Sequence, residues 1–347
     1  MGRKARVGIT RDMFDRNWKP LTPGPGLKLL DEMPEVEYQR FSELLPEVTP
    51  AQVHGFDMVI TLKPKWTQNT FAGDDQFLCV HRNGVGYDMV DVPALTKAGV
   101  MLCITPAAVR RPVANAILTF ILALSTRLLT KDKVIRQGKW GERDKYHGIG
   151  LRNKTLGSIG VGNIGHEVFK LVKPFGMKHI ACDPYVTQET VTDVDVKLVD
   201  MDTVLAESDF LNISCMLNEE THHLVGEKEL RKMKKTAFLI NTARGPIVDE
   251  AALIKALQEG WIQGAGIDVF EQEPTPPDNP LLKMGNVIVT PHALSWTGQT
   301  FMDEWSLMLK QISQIIRGEM PEGLVNREVW DMPQFQSKLK KFLESIR

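Results

Sequence analysis

Three glycines spaced as Gly160-x-Gly162-x-x-Gly165 stand directly after the apolar run Leu156–Ile159 and open the helical period Ile164–Phe175. Glycine triplets alone occur by chance; a strand before and a helix after give this one its meaning. The first glycine permits a tight turn, the second lets backbone approach a pyrophosphate, and the third lets helix and strand pack closely. A helix N-terminus offers unpaired N–H groups and partial positive charge to phosphates. Gly160, Gly162, Asn163, Ile164 and Gly165 are therefore expected to hold a dinucleotide. Asp183 ends the next apolar run, where a carboxylate accepts hydrogen bonds from both ribose hydroxyls and repels a 2′-phosphate. Asp183-Pro184-Tyr185 supplies no arginine to offset that repulsion, so the expected cofactor is NAD rather than NADP.

Around this motif the chain alternates short apolar runs with helical patterns, the signature of parallel α/β architecture. Before it, Val7–Thr10, Met58–Leu62, Phe77–His81 and Val100–Ile104 read as strands, and Leu27–Glu32, Thr49–His54 and Val90–Lys97 as helical. From Thr155 onward the strand-like runs are Thr155–Gly160, His179–Cys182, Phe210–Ser214, Ala237–Asn241, Gly264–Val269 and Val287–Thr290. Helical patterns separate them at Met201–Glu207, Lys228–Met233 and Glu250–Glu259, and Thr300–Arg317 has a further helical period. A length of 347 residues suggests two domains. Hydrophobic residues at 43%, charged residues at 24% and a net charge of −1 favour neither nucleic acid nor an anionic membrane as partner.

Pro112-Val113-Ala114-Asn115 reads as the opening of a long helix, with Val113, Ile117, Phe120, Ile121, Leu124 and Leu128 on one face. Leu118, Leu122 and Ala123 lie off that face, so the helix is apolar nearly all round and needs burial on several sides. The longest apolar stretch of the chain, Ile117–Leu124, is far shorter than a membrane span. The start of the chain lacks the apolar core and cleavage site of a signal peptide, and a cytoplasmic location is expected. Cys79, Cys103, Cys182 and Cys215 are far apart without a CxxC spacing, which predicts buried reduced thiols. His222 and His223 are not at metal-ligand spacing, and no His/Cys cluster supports them, so no metal is expected.

Four stretches occur in order: Asn83-Gly84-Val85-Gly86-Tyr87-Asp88, Gly157–Gly165, Asn241-Thr242-Ala243-Arg244-Gly245, and Asp268-Val269-Phe270-Glu271-Gln272-Glu273-Pro274 followed by Pro291-His292. On these the whole chain resembles the D-isomer-specific 2-hydroxyacid dehydrogenases, including D-lactate, phosphoglycerate and hydroxypyruvate/glyoxylate enzymes. The resemblance implies an α/β chain of two doubly wound parallel-sheet domains. A Rossmann domain over residues 108–295 is inserted in a flavodoxin-like substrate domain of residues 1–107 and 296–347. It also implies a homodimer through the helix starting near Val113.

The chemistry asks for the residue types the resemblance supplies. A 2-keto acid gaining hydride develops negative charge on its carbonyl oxygen and must receive a proton there. Arg244, a forked and permanently charged guanidinium at a strand's C-terminal end, can hold the carboxylate and the ketone oxygen. His292 is the expected acid/base, because imidazole titrates near working pH, and Glu273 would fix its tautomer and stabilise the imidazolium. The resemblance further implies a carboxylate cradle of Val85 and Gly86 N–H groups, and places Thr242, Ala243 and Asp268 by the nicotinamide. Singly, an arginine after a strand or a histidine after proline is commonly structural; the ordered set carries the reading.

Departures from the family pattern locate what is particular to this chain. Leu294 and Trp296 in Pro291-His292-Ala293-Leu294-Ser295-Trp296 are bulkier than usual, and Arg110-Arg111 replaces small, neutral or acidic residues. Either arginine is a candidate for a second anionic or polyhydroxylated substrate group, set against two solvated arginines near a helix start. Rival readings on the same fold are phosphite oxidation, which keeps Arg-Glu-His, and an NAD-sensing corepressor-like binding protein. Formate oxidation is disfavoured by Glu where such enzymes carry Gln.

Overall fold

A computed structural model describes residues 2–21, 26–71 and 76–347. The strands in chain order are β1 Ala5–Ile9, β2 Val36–Arg40, β3 Met58–Thr61, β4 Cys79–Arg82, β5 Met101–Cys103, β6 Thr155–Ile159, β7 Lys178–Cys182, β8 Val196–Leu198, β9 Phe210–Ile213, β10 Phe238–Asn241, β11 Gly264–Ile267 and β12 Val287–Val289. The helices are α1 Gly26–Asp31, α2 Pro50–Val53, α3 Val92–Lys97, α4 Pro106–Thr126, α5 Leu128–Arg136, α6 Asn163–Val172, α7 Met201–Glu207, α8 Glu227–Leu230, α9 Glu250–Gln258, α10 Gly298–Ile316 and α11 Pro333–Ile346. The chain divides into two compact units, residues 1–109 with 296–347, and residues 110–295.

The first unit carries a five-stranded parallel sheet in the order β2-β1-β3-β4-β5, the flavodoxin-like arrangement. Alternation along the strands sorts residues onto two faces. Val7, Ile9, Met58, Ile60, Cys79, Met101 and Cys103 face one core with Met308, Ile312, Ile315, Phe335 and Leu339 of α10 and α11. Val59, Val80 and Leu102 face the other with Trp66, Phe77 and Leu95. Both faces are covered, as an all-parallel sheet requires.

The second unit carries seven parallel strands in the order β12-β11-β10-β9-β6-β7-β8. Counting from β6, this is the 3-2-1-4-5-6 order of dinucleotide-binding sheets with one more strand at the far edge. The order reverses at β6 and β9, directly after which Gly160 stands. One face packs Leu205, Leu239, Leu253 and Leu257; the other packs Ile117, Phe120, Phe169 and Phe210.

Three sequence expectations are corrected. The long helix begins at Pro106 rather than near Val113, and Pro112 lies inside it. A proline serves as a helix start at the first position, and Pro106 takes that role here. Two strands carry no sequence signal of their own, β2 and β8, and both are sheet edges. A final amphipathic helix, α11, buries Phe335, Leu339 and Phe342. By length and composition α4 would cross a membrane, but half of its most apolar window is buried inside the protein.

Candidate active site

At the glycine loop the local geometry explains each glycine. Gly160 has φ +89°, and an added Cβ would meet Ser214 and Cys215 backbone at 2.7 Å. Gly165 would bring a Cβ to 2.8 Å from the Gly160 carbonyl oxygen, so the helix sits too close for any side chain there. Gly162 is different: it is exposed, and a Cβ would meet nothing within 4 Å. Protein packing does not demand a glycine at that point, whereas the approach of a phosphate to backbone does. Gly162 is also the N-cap of α6 and no side chain caps that helix, leaving its first N–H groups for an anion. Asn163, exposed, and Ile164, half-buried, open the first turn.

Asp183, just past β7, accepts from Val161 N–H through Oδ2 and from Tyr185 N–H through Oδ1, both at 2.9 Å. The carboxylate is thus fixed against the glycine loop on two backbone donors. This donor set fits a dinucleotide: an open anion-binding helix end flanked by an oriented carboxylate.

The catalytic candidates lie on the same unit, past the C-terminal ends of β10, β11 and β12. His292 Nδ1 is 2.8 Å from Glu273 Oε2. Glu273 Oε1 accepts from Phe270 N–H at 3.1 Å, which fixes the carboxylate plane. Burial pushes the Glu273 carboxyl up, but the His292 hydrogen bond and charge, the Phe270 N–H and the Arg244 charge together leave it below the usual range. Glu273 is therefore an acceptor, Nδ1 is the donor, and Nε2 remains to exchange a proton. His292 adopts φ +53°, an uncommon conformation for a side-chain-bearing residue.

Asp268 holds the backbone of the His292 segment. It is buried at 4% exposure, and its backbone oxygen accepts His292 N–H at 2.7 Å. Its Oδ1 accepts from Thr290 Oγ1 at 2.5 Å, Ala293 N–H at 3.0 Å and Leu294 N–H at 3.2 Å. In this structure Asp268 ties down the His292 loop, a positioning contact that sequence reasoning did not supply.

Arg244 follows β10, and its position is set by two neighbours. Asn241 donates Nδ2 to the Arg244 carbonyl at 2.9 Å while its Oδ1 accepts Ala243 N–H at 3.0 Å. Gly245 would drive a Cβ to 1.9 Å from the Phe270 carbonyl oxygen, so Arg244 is pinned beside the segment that carries Glu273. Arg244 Nη1 also donates to the Ala243 carbonyl at 2.7 Å. Thr242 and Ala243 are half-buried in the same turn.

On the first unit, Val85 and Gly86 follow β4. The turn before them is locked by Gly84 N–H donating to Thr105 Oγ1 and Thr105 N–H donating to the Gly84 carbonyl, both at 2.9 Å. Among the described residues, neither the Val85 nor the Gly86 N–H donates a hydrogen bond. Arg110 and Arg111 instead meet Glu167 of α6, at 3.8 and 2.8 Å. Trp296 is exposed and meets Phe301 edge-on at 5.5 Å.

A model of the NAD-binding domain of D-isomer specific 2-hydroxyacid dehydrogenases matches residues 118–293. The chain belongs to that family. A glyoxylate reductase of Korarchaeum cryptofilum (strain OPF8) is 36% identical over 334 residues, 94% of this chain and 97% of that protein. The D-3-phosphoglycerate dehydrogenase of Methanocaldococcus jannaschii is 36% identical over 322 residues, 91% of this chain and 60% of the longer protein. Among solved structures, a glyoxylate reductase from Paecilomyes thermophila aligns with TM-score 0.80 and 27% identity, covering 94% of this chain and 99% of that one. The NAD-complexed D-isomer specific 2-hydroxyacid dehydrogenase of Lactobacillus delbrueckii ssp. bulgaricus aligns at TM-score 0.74 and 26% identity, covering 93% and 100%.

This 2-hydroxyacid dehydrogenase is accordingly an NAD-dependent oxidoreductase that moves a hydride between the cofactor and C2 of a 2-hydroxy or 2-keto acid. Its α/β fold of two parallel sheets agrees with that membership.

Proposed function

We propose that the enzyme reduces a small 2-keto acid to the D-2-hydroxy acid, with His292 as the acid/base, Glu273 orienting it and Arg244 binding the substrate. The observation that carries the reading is the 2.8 Å contact between His292 Nδ1 and Glu273 Oε2, beside a guanidinium whose charge reaches Glu273. NAD(H), when bound by Gly160–Gly165 and Asp183, supplies or accepts the hydride. Arg244 takes the substrate carboxylate and ketone oxygen, and stabilises the charge that grows on that oxygen. His292 delivers the proton to it from Nε2, and Glu273 stabilises the imidazolium before transfer and keeps the tautomer correct after it. The family resemblance assigns the Val85 and Gly86 N–H groups to the substrate carboxylate, and Thr242, Ala243 and Asp268 to the nicotinamide.

Relatives named glyoxylate reductase favour glyoxylate among possible substrates. The test is NADH oxidation with glyoxylate, hydroxypyruvate, pyruvate, oxaloacetate, 2-ketoglutarate and sugar-derived keto acids. Turnover of a short 2-keto acid is expected; silence across the panel would sink the reading and favour an NAD-sensing role.

The working form is a cytoplasmic homodimer. Leu122 at the end of α4, Leu128, Leu129 and Ile135 on α5, and Trp140 just beyond are all exposed, an apolar series suited to a second copy. Sedimentation of L129R/W140A against the parent protein tests it, with a shift to monomer expected.

A further inference from the structure

Strand pairing joins three residues that the sequence keeps apart, which overturns the expectation that no His/Cys cluster exists. Cys79 and His81 are two apart on β4 and so share a face of the sheet. The β4–β5 register sets Cys79 opposite Met101 and His81 opposite Cys103, which brings Cys103 to the same face. Cys79 Sγ and Cys103 Sγ are 3.6 Å apart, and both sulfurs and a His81 ring nitrogen lie within 4.8 Å of one another. All three residues have 0% exposure.

The imidazole is prepared as a ligand. Gln311 of α10 donates Nε2–H to the Ile104 carbonyl at 2.8 Å, which fixes the amide with Oε1 3.1 Å from His81 Nδ1. Nδ1 therefore carries the hydrogen and Nε2 the lone pair. His81 Nε2 is buried and meets no hydrogen-bond partner among the described residues. A polar atom left so is unfavourable unless something binds it.

We propose that Cys79, His81 and Cys103 form a structural site for a soft divalent cation of the zinc class, with Gln311 orienting the imidazole. Two thiols and a neutral imidazole take up M²⁺ and release two protons, so the buried product is electrically neutral. That balance is what an apolar interior tolerates. Thiolate and imidazole together select zinc-like ions over magnesium or calcium. Cys79, His81 and Cys103 fill three corners of a tetrahedral centre and a water molecule the fourth; Zn–S bonds near 2.3 Å then separate the two sulfurs by about 3.8 Å, close to the observed gap, whereas a disulfide needs about 2.05 Å. Bound metal would fasten β4 to β5 at the base of the Asn83–Gly86 turn. The site is independent of the proposed catalytic roles.

The test is elemental analysis of the full-length protein, produced without a metal-affinity tag in zinc-supplemented medium, with a parallel preparation grown in cobalt. About one metal per chain and sulfur-to-cobalt charge-transfer absorption are expected. H222A/H223A should retain the metal, which separates the buried site from the surface histidine pair. C79S/C103S should lose it; if that variant fails to fold, H81Q and the wild-type stoichiometry decide. Wild-type protein that folds with unchanged melting temperature in chelator and carries no metal would overturn the proposal. So would a Cys79–Cys103 disulfide found by mass spectrometry.

Discussion

His292 and Glu273 form a dyad in which the histidine is held from both ends: Nδ1 rests on Glu273 Oε2 at 2.8 Å, and its own backbone N–H rests on the Asp268 carbonyl at 2.7 Å. The glutamate is kept ionised below its usual range despite partial burial. Glu273→Gln would remove the charge that stabilises the imidazolium and leave the shape. We expect kcat to fall by about a hundredfold or more with the NADH Kd unchanged. Because the folded-state pKa is lowered, the carboxylate's contribution to stability is present above the ordinary glutamate range and lost as pH falls through the lowered value. The variant should lack that acid-side loss. Stopped-flow single turnovers and an acid unfolding series read both effects; an unchanged kcat would remove Glu273 from the mechanism.

Arg244 is pinned at its backbone through Asn241 and Gly245, and its Nη1 donates to the Ala243 carbonyl at 2.7 Å. A lysine keeps the charge but loses the fork that can hold two oxygens at once. Arg244→Lys should lower kcat/KM by about a hundredfold, on the order of 3 kcal/mol of transition-state stabilisation. Steady-state kinetics with a 2-keto acid would check it, and a change in KM alone would mean that Arg244 only binds the carboxylate.

Much of the nucleotide-binding unit was legible because its interior strands are continuous apolar runs and the glycines sit at a strand-to-helix turn. The edges were not. β2, reading Val-Glu-Tyr-Gln-Arg, buries only Val36 fully, so its pattern looks like a polar loop. β8 has three residues, too few to show a period. Pro112 read as a helix start because proline is favoured there, yet Pro106 occupies that position. At the site, motif order singled out Arg244, Glu273 and His292, and Glu273 as the partner of His292, but not the contacts that hold the Thr290–Leu294 segment. The Asp268 carboxylate and carbonyl together reach four groups of the Thr290–Leu294 segment, and the Cys79–His81–Cys103 grouping exists only through strand register. Neither relation leaves a trace at fixed spacing along the chain.

Asp183 donates nothing and accepts two backbone N–H groups, so its charge is held at the rim of the glycine loop. Replacing it with serine keeps an acceptor and removes the repulsion toward a 2′-phosphate. Asp183→Ser should raise the NADH Kd about tenfold or more, the equivalent of one charged hydrogen-bonding group. NADPH binding should improve relative to NADH. Fluorescence titration with both cofactors reads the ratio, and an unaltered preference would place discrimination elsewhere.

Glu304 is a buried acid that the proposed mechanism does not use. It lies on α10 at 7% exposure, and burial lifts its pKa from 4.5 to about 7 against a smaller opposing pull from the Arg82 charge. A carboxyl raised in the folded state stabilises that state below its ordinary pKa, and the benefit is lost as pH rises to about 7. The folded chain thus forfeits stability of about 3 kcal/mol between acidic and mildly alkaline conditions through this residue alone. Glutamine keeps the size and never ionises. Glu304→Gln should therefore gain on the parent as pH rises, most at pH 8 and least at pH 5. Thermal unfolding of both proteins at the two values measures it. A difference in melting temperature that stays constant with pH, or shrinks toward pH 8, would show that Glu304 is ionised in the folded protein throughout.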